Sequence, residues 1–459
     1  LVLHKIEKIH FVGIGGIGMS GIAEVLLNLG FKVTGSDIRK SETTERLEHL
    51  GARIFYGHRE ENVRDVDVVV ISSAVKGDNP EVQKAKDLFI PVIQRAEMLA
   101  ELMRMKYSVA VAGSHGKTTT TSLISSILGQ AGMDPTCVIG GKLNSFGSNA
   151  KLGSSKFLVA EADESDGTFL LLFPTIAVVT NIDLEHLDFY KDINEIKEAF
   201  IAFLNKVPFY GLDLICIDNT NVQSIIPFLK RRYMTYGLSK QADLRAEDIQ
   251  HQGLKTTFSV IYRGKEMGDI ELSLPGIHNV VNGLAACGVA IELDIPFATI
   301  KEALKHFSGI QRRLEIKLDG PITLIDDYGH HPTEIRATLA AIRNMWQRRI
   351  IVVFQPHRYT RTKALMDEFA TSFNEADILI VTEIYPASEE KIEGITGGRL
   401  SEKIRASGHK HVFFVPTSDK AAERVLEMAK SGDVVVTLGA GDIYRIDEKL
   451  KSAWQRRKE

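Results

Sequence analysis

Residues 107–120 read YSVAVAGSHGKTTT. The apolar run 109–112 stops at Gly113, then come Ser114, His115, Gly116, Lys117, Thr118 and Thr119, and a helix-compatible stretch begins. A strand, a glycine turn and a helix start in that order make a phosphate-binding loop on a parallel sheet. Backbone N–H groups and the helix N-terminus face phosphate oxygens, the lysine adds a point charge, and a hydroxyl reaches Mg2+. The consensus spacing between the first glycine and the Gly-Lys pair is longer than the two residues, Ser114 and His115, found here.

Outward from that loop the chain divides into three α/β blocks. The first, 1–105, carries the strand-like runs IHFVGIG, KVTGSD and DVVVISSAV. The second, 106–311, continues past the phosphate loop with FLVAEADES and IAVVTNI. An alternating region at about 232–275 reads as antiparallel strands on one side, followed by the helix-like NVVNGLAACGVAIEL. The third, 312–459, has strands at TLIDDY, RIIVVFQPH, DILIVTEI, HVFFVP and DVVVTLGAG. Apolar strands alternating with helical stretches predict three domains, each built on a mainly parallel sheet, the central one ATPase-like.

Gly13, Gly15 and Gly18 form GxGxxG directly after a strand, and Asp37 ends the next strand. The pattern lets a diphosphate approach the backbone, and the carboxylate can accept from a ribose or another hydroxylated group. A dinucleotide and a nucleotide sugar both present a diphosphate. Ser72 and Ser73, at the end of the third strand, face the same crevice and either donate to phosphate oxygens or cap a helix.

A phosphate loop needs Mg2+ held by hard oxygens. Thr118 is the expected hydroxyl ligand. Glu161, on a strand expected beside the loop, leads the cluster Glu161, Asp163, Glu164 and Asp166, too acidic to be buried without a cation or donors. His186, in TNIDLEHLDFY, either ligates a second metal or sits satisfied by hydrogen bonds. Metals and a lysine around a terminal phosphate imply phosphoryl transfer, to an alcohol in a kinase or to a carboxylate in a ligase. Three blocks suit the three substrates of a ligase.

PGIHNVVNGLAA places Asn279 and Asn282 at i and i+3 near a helix start, able to meet an adenine edge or to cap the helix. Arg312 and Arg313 precede the third block and can bind phosphate across a closing cleft. DDYGHHPTE (326–334) gathers two aspartates, two histidines and a tyrosine at a strand end. FQPHRYTRTK sets His357, Arg358 and Arg361 at the end of the next strand, where a guanidinium can clamp a small carboxylate bidentately.

Net charge of −3 provides no basic excess for nucleic acid. No segment is apolar for long enough to span a bilayer, and LVLHKIEKIHFVG does not read as a secretory signal. Three scattered cysteines, Cys137, Cys216 and Cys287, fit a reducing compartment, so a cytoplasmic protein is expected.

The chain resembles the bacterial Mur ligases along nearly its whole length. The markers are HFVGIGGIGMSGIAE, AGSHGKTTTT, AEADESD, NIDLEHLD, LPGIHNVVNGLAA, DDYGHHPTE and FQPHRYTRT. The first and the last two point to the alanine-adding branch. The resemblance implies ATP-dependent joining of L-alanine to the lactyl carboxylate of UDP-N-acetylmuramate through an acyl phosphate, in peptidoglycan precursor synthesis. It implies Mg2+, two ions with Mn2+ as a substitute, and a monomer or homodimer. The first block then binds the UDP-sugar rather than NAD, through Gly15, Gly16, Ile17, Gly18, Met19, Ser20, Asp37, Ser72 and Ser73, with His58 reading uracil. Gly113, Ser114, His115, Gly116, Lys117, Thr118 and Thr119 hold ATP, Asn279 contacts adenine, Arg313 approaches the phosphates, and Asp326 or Asp327 holds nucleotide from the third block. Thr118 and Glu161 serve magnesium and His186 the second metal. Tyr328, His330 and Arg361 surround the alanine. Lys117, His186, Arg313, His330 and Arg361 are the expected catalytic set. The carbamylated lysine that bridges metals in many relatives has no counterpart in register here, Lys197 included. Two rival enzymes are a ligase joining a murein peptide to the same sugar and an NAD-dependent dehydrogenase built on the Gly13 loop. A third rival is a nucleotide-gated switch that makes no amide.

Overall fold

The structure is a computed structural model that describes residues 6–72, 74–139, 150–186, 189–387 and 389–456. Ser73 and the side chain of Ile17, both expected at the diphosphate, lie outside the described set.

In the first block β1 (Lys8–Val12), β2 (Lys32–Asp37), β3 (Arg53–Tyr56), β4 (Val68–Ile71) and β5 (Val92–Gln94) form an all-parallel sheet in the order β3-β2-β1-β4-β5. The order reverses at β1, and the glycine loop leaves β1 at that point. A crevice at the carboxyl ends of such strands is the usual ligand position in an open α/β sheet.

The central block has β6 (Tyr107–Ala112), β7 (Thr136–Val138), β8 (Ala150–Lys151), β9 (Phe157–Glu161), β10 (Ile176–Val179), β11 (Leu212–Cys216), β12 (Tyr233–Gly237), β13 (Leu244–Gln252), β14 (Lys255–Tyr262) and β15 (Lys265–Leu272). They make one ten-stranded sheet in the order β15-β14-β13-β12-β11-β10-β6-β9-β7-β8. β6 lies between β9 and β10, with Val111 paired to Glu161 and Ala112 to Val179. All three strands therefore end at the level of the phosphate loop. VAVA and IAVV are apolar throughout because helices cover both faces of a parallel sheet.

One expectation is corrected here. Within the alternating region only β13, β14 and β15 pair antiparallel; β12, its first strand, runs parallel to both β11 and β13. MTYG in β12 is buried, so it belongs to the covered part of the sheet, whereas β13 alternates more and less buried positions.

In the third block β16 (Glu315–Asp319), β17 (Thr323–Asp327), β18 (Ile350–Phe354), β19 (Ile378–Val381), β20 (Val412–Phe414) and β21 (Val434–Leu438) take the order β16-β17-β21-β18-β19-β20, parallel except for β16 against β17. β21 thus stands between β17 and β18. The segments after those two strands still converge, because both leave the same carboxyl edge: the rings of His330 and His357 are 5.7 Å apart.

The phosphate-loop helix, Lys117–Gln130, packs on Ile277–Glu292. Gly288 lets the second helix approach the sheet; a Cβ there would sit 2.8 Å from Leu214 Cδ2.

Candidate active site

The phosphate loop turns on Gly113 (φ +132°) and Gly116 (φ +81°). Both angles suit glycine, and a Cβ on Gly116 would meet Asn282 Oδ1 at 2.6 Å. The segment after β10 cradles the loop: His115 N–H donates to Asn181 Oδ1 (2.8 Å), Asp183 N–H donates to Ser114 Oγ (2.8 Å), and the Thr180 hydroxyl donates to His115 O. Lys117 Nζ donates to Gly113 O (2.6 Å) and Glu164 Oε1 (2.8 Å). Burial alone would lower the Lys117 pKa, but the carboxylates of Glu164 and Asp163 outweigh it and raise it, so the ammonium stays charged.

Glu164, Glu185 and His186 each offer a ligand atom, all within 4.8 Å of one another. Glu164 Oε2 and Glu185 Oε1 are buried without a hydrogen-bond partner, the condition that a cation relieves. His186 takes φ +56° to reach them. Contacts with His115 and His331 help hold the buried Glu185 ionised, at about 2, against a desolvation that pushes its pKa up. Thr118 and Glu161, the expected metal ligands, line the same cavity of about 620 Å³ as Glu185 and His186. Sequence reading selected Glu161 from AEADESD; the tighter cluster contains Glu164 from that motif and Glu185 from NIDLEHLD. The signal for Glu185 was its place beside His186.

Lys117, Tyr328, His330, Arg313 and Arg361 line this cavity too, so the third block closes over the phosphate loop. His330 Nδ1 lies 3.0 Å from Tyr328 O, which can only accept, so Nδ1 carries the proton. Burial lowers its pKa to about 4 and leaves a neutral imidazole with its lone pair on Nε2. Arg361 lies 3.6 Å from Glu185 and 3.4 Å from His357 Nδ1. Arg358, its alternative as a clamp, faces an adjoining cavity of about 370 Å³ shared with His186 and Arg361.

The sequence reading missed Glu334. It opens the helix Pro332–Met345, accepts from the N–H groups of His330 (3.0 Å) and His331 (3.3 Å), and faces Arg313 Nη1 (3.4 Å) and His115 Nδ1 (3.6 Å). Against burial, His330, His115 and Arg313 hold its carboxyl well below the usual range. DDYGHHPTE contained it, but the motif alone does not show that a helix-capping glutamate also faces a loop in another block.

A second cavity, of about 290 Å³, holds Asn279, Asn282, Arg313 and Asp327 with Gly116 and Thr119. Asn279 donates to Pro275 O (2.7 Å) and accepts from Asn282 (3.3 Å). Asp326 and Asp327, both expected toward nucleotide, diverge because neighbours on a strand face opposite sides. Asp327 accepts from Leu314 N, Gly329 N and Thr338 Oγ1 at the cavity wall. Asp326 turns instead to Arg312 Nε at 3.2 Å and lines neither cavity. Its carboxyl is pushed up to about 6 by burial.

In the first block Asp37 Oδ2 accepts from Gly15 N–H (2.8 Å), so the carboxylate expected at a ribose holds the glycine loop itself. Met19 is a core side chain and Ser20 is buried; these two can meet a diphosphate only through their backbone. Ser72 Oγ lies 3.9 Å from where a Cβ on Gly13 would stand, within the expected crevice. His58 sits at the end of β3, its Nδ1 3.0 Å from both Ser36 Oγ and Glu81 Oε2. Arg95, whose side chain a Cβ on Gly18 would touch, reaches Asp163 at 3.8 Å and ties this block to the phosphate cavity.

Known proteins match this arrangement block by block. The Mur ligase family catalytic domain matches residues 8–107, the Mur ligase middle domain 111–290, and the Mur ligase glutamate ligase domain 312–441. A protein of Geotalea uraniireducens named UDP-N-acetylmuramate–L-alanine ligase is 62% identical over 97% of this chain and 98% of its own. A crystal structure of a UDP-N-acetylmuramate-alanine ligase from Thermotoga maritima superposes with a TM-score of 0.83 at 30% identity, covering 98% of this chain and 99% of that one. A murein peptide ligase from Psychrobacter arcticus reaches 0.71 at 26% identity, with 97% and 98% covered. The family accounts for a glycine loop on the first sheet and for a third block closed on a phosphate loop in the second; the chain belongs to the Mur ligase family.

Proposed function

We propose that this chain uses ATP to join L-alanine to the lactyl carboxylate of UDP-N-acetylmuramate, as a cytoplasmic step of peptidoglycan precursor synthesis. The observation that carries the reading is the single cavity shared by Lys117, Thr118 and His186 of the central block with Arg313, Tyr328, His330 and Arg361 of the next. The name of the 62% identical relative supports the choice of substrates. Units at 1–105, 106–311 and 312–459 take the UDP-sugar, ATP and amino acid, in a monomer or homodimer.

The backbone at residues 15–20 and Ser72 receive the diphosphate while His58 reads uracil. Residues 113–119 cradle the triphosphate and Asn279 with Asp327 holds the nucleoside in the smaller cavity. Thr118, Glu161, Glu164, Glu185 and His186 form a donor set that fits Mg2+, or Mn2+ in its place, and the ion would neutralise charge on the phosphates. The muramoyl carboxylate attacks the γ-phosphorus and ADP leaves; Lys117 and Arg313 stabilise the charge that develops. Phosphate oxygens then compete with Glu164 for the Lys117 ammonium. The amine of alanine attacks the acyl phosphate, its carboxylate held by Arg361 beside Tyr328. His330 Nε2 accepts the amine proton, and collapse of the tetrahedral intermediate expels phosphate. Further closing of the third block over the cavity keeps water from the acyl phosphate.

The test is phosphate release from Mg-ATP with UDP-N-acetylmuramate, with and without L-alanine. Release that needs both acceptors, and a product one alanyl residue heavier, is expected. No release with alanine but turnover with a murein tripeptide overturns the alanine assignment.

A further inference from the structure

Outside the catalytic cavity, the first block buries a carboxylate that the reaction does not use. Asn79 caps the helix Pro80–Asp87, its side chain accepting from Glu81 N–H, and Pro80 fixes the first turn. Glu81 follows and is fully buried. Ser36 Oγ donates to Oε2 at 2.6 Å and Asn62 Nδ2 to Oε1 at 2.6 Å. His58 Nδ1 lies 3.0 Å from Oε2, and His10 Nε2 faces Oε1 at 3.6 Å. Burial pushes the Glu81 pKa up, but His10, Ser36 and Asn62 hold it ionised, at about 2. An ionised carboxylate only accepts. The single hydroxyl proton of Ser36 is committed to Glu81, so the Ser36 oxygen 3.0 Å from His58 Nδ1 also only accepts. Two acceptors therefore face Nδ1, which must carry the proton. In the neutral ring Nε2 is then the lone-pair nitrogen.

A buried, paired carboxylate is weak evidence for stability, since an apolar side chain of similar volume often serves as well. What it does supply is orientation. Of its partners His10 and Ser36 are wholly buried and Asn62 nearly so, while the His58 side chain is 21% exposed, at the carboxyl edge that carries the glycine loop.

We propose that Glu81 is a positioning residue that fixes His58 with its proton on Nδ1, so that Nε2 meets the nucleobase as an acceptor and selects an N–H edge, the imide of uracil, over the bare ring nitrogen of cytosine. The proposal rests on His58 contacting the base, as in the function above. A base that sets a lone pair against Nε2 leaves both groups unpaired, and such mismatches discriminate more strongly than added contact does.

The experiment compares UDP and CDP binding by calorimetry to the full chain and to Glu81→Gln, whose amide presents N–H to His58 and returns the ring proton to Nε2. The wild-type chain is expected to prefer UDP, and E81Q to lose about tenfold or more of that preference. The KM for UDP-N-acetylmuramate should rise while kcat at saturation and the KM values for ATP and alanine hold, a split that loss of fold would not produce. Glu81→Asp, which keeps the acceptor, should recover part of the preference. An unchanged UDP/CDP ratio in E81Q overturns the proposal. Should E81Q fail to fold, 15N NMR of histidine-labelled wild-type chain decides, with His58 assigned by its loss in His58→Gln: a proton on Nε2 in the neutral ring overturns it. Wild-type chain that turns over both acceptors without preferring UDP overturns this inference alone; chain that neither binds UDP nor turns over overturns the function as well.

Discussion

Lys117 and Glu164 show how a residue of known type acquires its charge state from the fold. The ammonium is mostly enclosed, yet its pKa is raised because Glu164 and Asp163 face it. Lys117→Met removes the charge from the phosphate path and leaves Glu164 buried without its cation. Activity should fall by at least ~100-fold in kcat, the scale of losing one preorganised electrostatic contact. Thermal stability should fall as well, because breaking a buried pair from one side costs about 3–5 kcal/mol. Adding Glu164→Gln should restore much of the stability and none of the activity; phosphate-release rates and melting midpoints on the three proteins check both halves. A single mutant with unaltered kcat would remove Lys117 from the mechanism. Lys117 was legible in the sequence because a lysine after a glycine turn has few other reasons to be there. Glu334 was not, since its significance lies in reaching His115, more than two hundred positions earlier in the chain. Glu164 and Glu185 were visible as acidic letters, but which oxygens converge on His186 is decided by loop geometry.

Elements were read well where both faces of a strand are covered, because continuous apolar runs admit few other readings. KIHFV, YSVAVA, IIVVF and VVVTL all became buried parallel strands. β16, EIKLD, went unread: it is a half-exposed edge strand, and its charged letters resemble those of a loop. Nor could strand order be read, so β21 between β17 and β18 came from the structure alone. Packing of the helix Ile277–Glu292 yields a test at this scale. Alanine favours a helix interior over glycine by about 1 kcal/mol, so propensity predicts that Gly288→Ala stabilises. The structure predicts the opposite sign: the new Cβ would lie 2.8 Å from Leu214 Cδ2, and Leu214 is itself fully buried. A net loss of about 1–2 kcal/mol is expected, within the range for overpacked cores. Urea unfolding followed by circular dichroism measures it, and a raised midpoint would show that the sheet yields easily at this site.

Across the molecule, five of the histidines where the central and third blocks meet have displaced titrations, and they are displaced in opposite directions. His278, His330 and His331 are lowered to about 4 and His357 to about 3, each chiefly by burial. His115 goes the other way: burial would lower it, but Asp183 at 3.1 Å and Glu334 of the third block raise it to about 10. A histidine held neutral stabilises the assembled form above its unfolded value of about 6.5, and that contribution is lost as pH falls toward 4. A histidine held charged does the reverse. Its contribution is complete below about 6.5 and disappears as pH rises through 10, by at most ~1.4 kcal/mol per pH unit. Asp183 and Glu185, both lowered to about 2, add to the acid limb only below their ordinary values of 3.8 and 4.5. Stability of the closed arrangement should therefore peak near pH 6.5 and decline on both sides for separate reasons. Melting midpoints from pH 5 to 9.5 would trace the two limbs. In His115→Gln the alkaline limb should flatten while the acid limb keeps its slope, because the four neutral histidines remain. An alkaline limb of unchanged steepness in that variant would mean that the contact between phosphate loop and third block does not hold a proton, and that the blocks are joined chiefly by the neutral contacts around them.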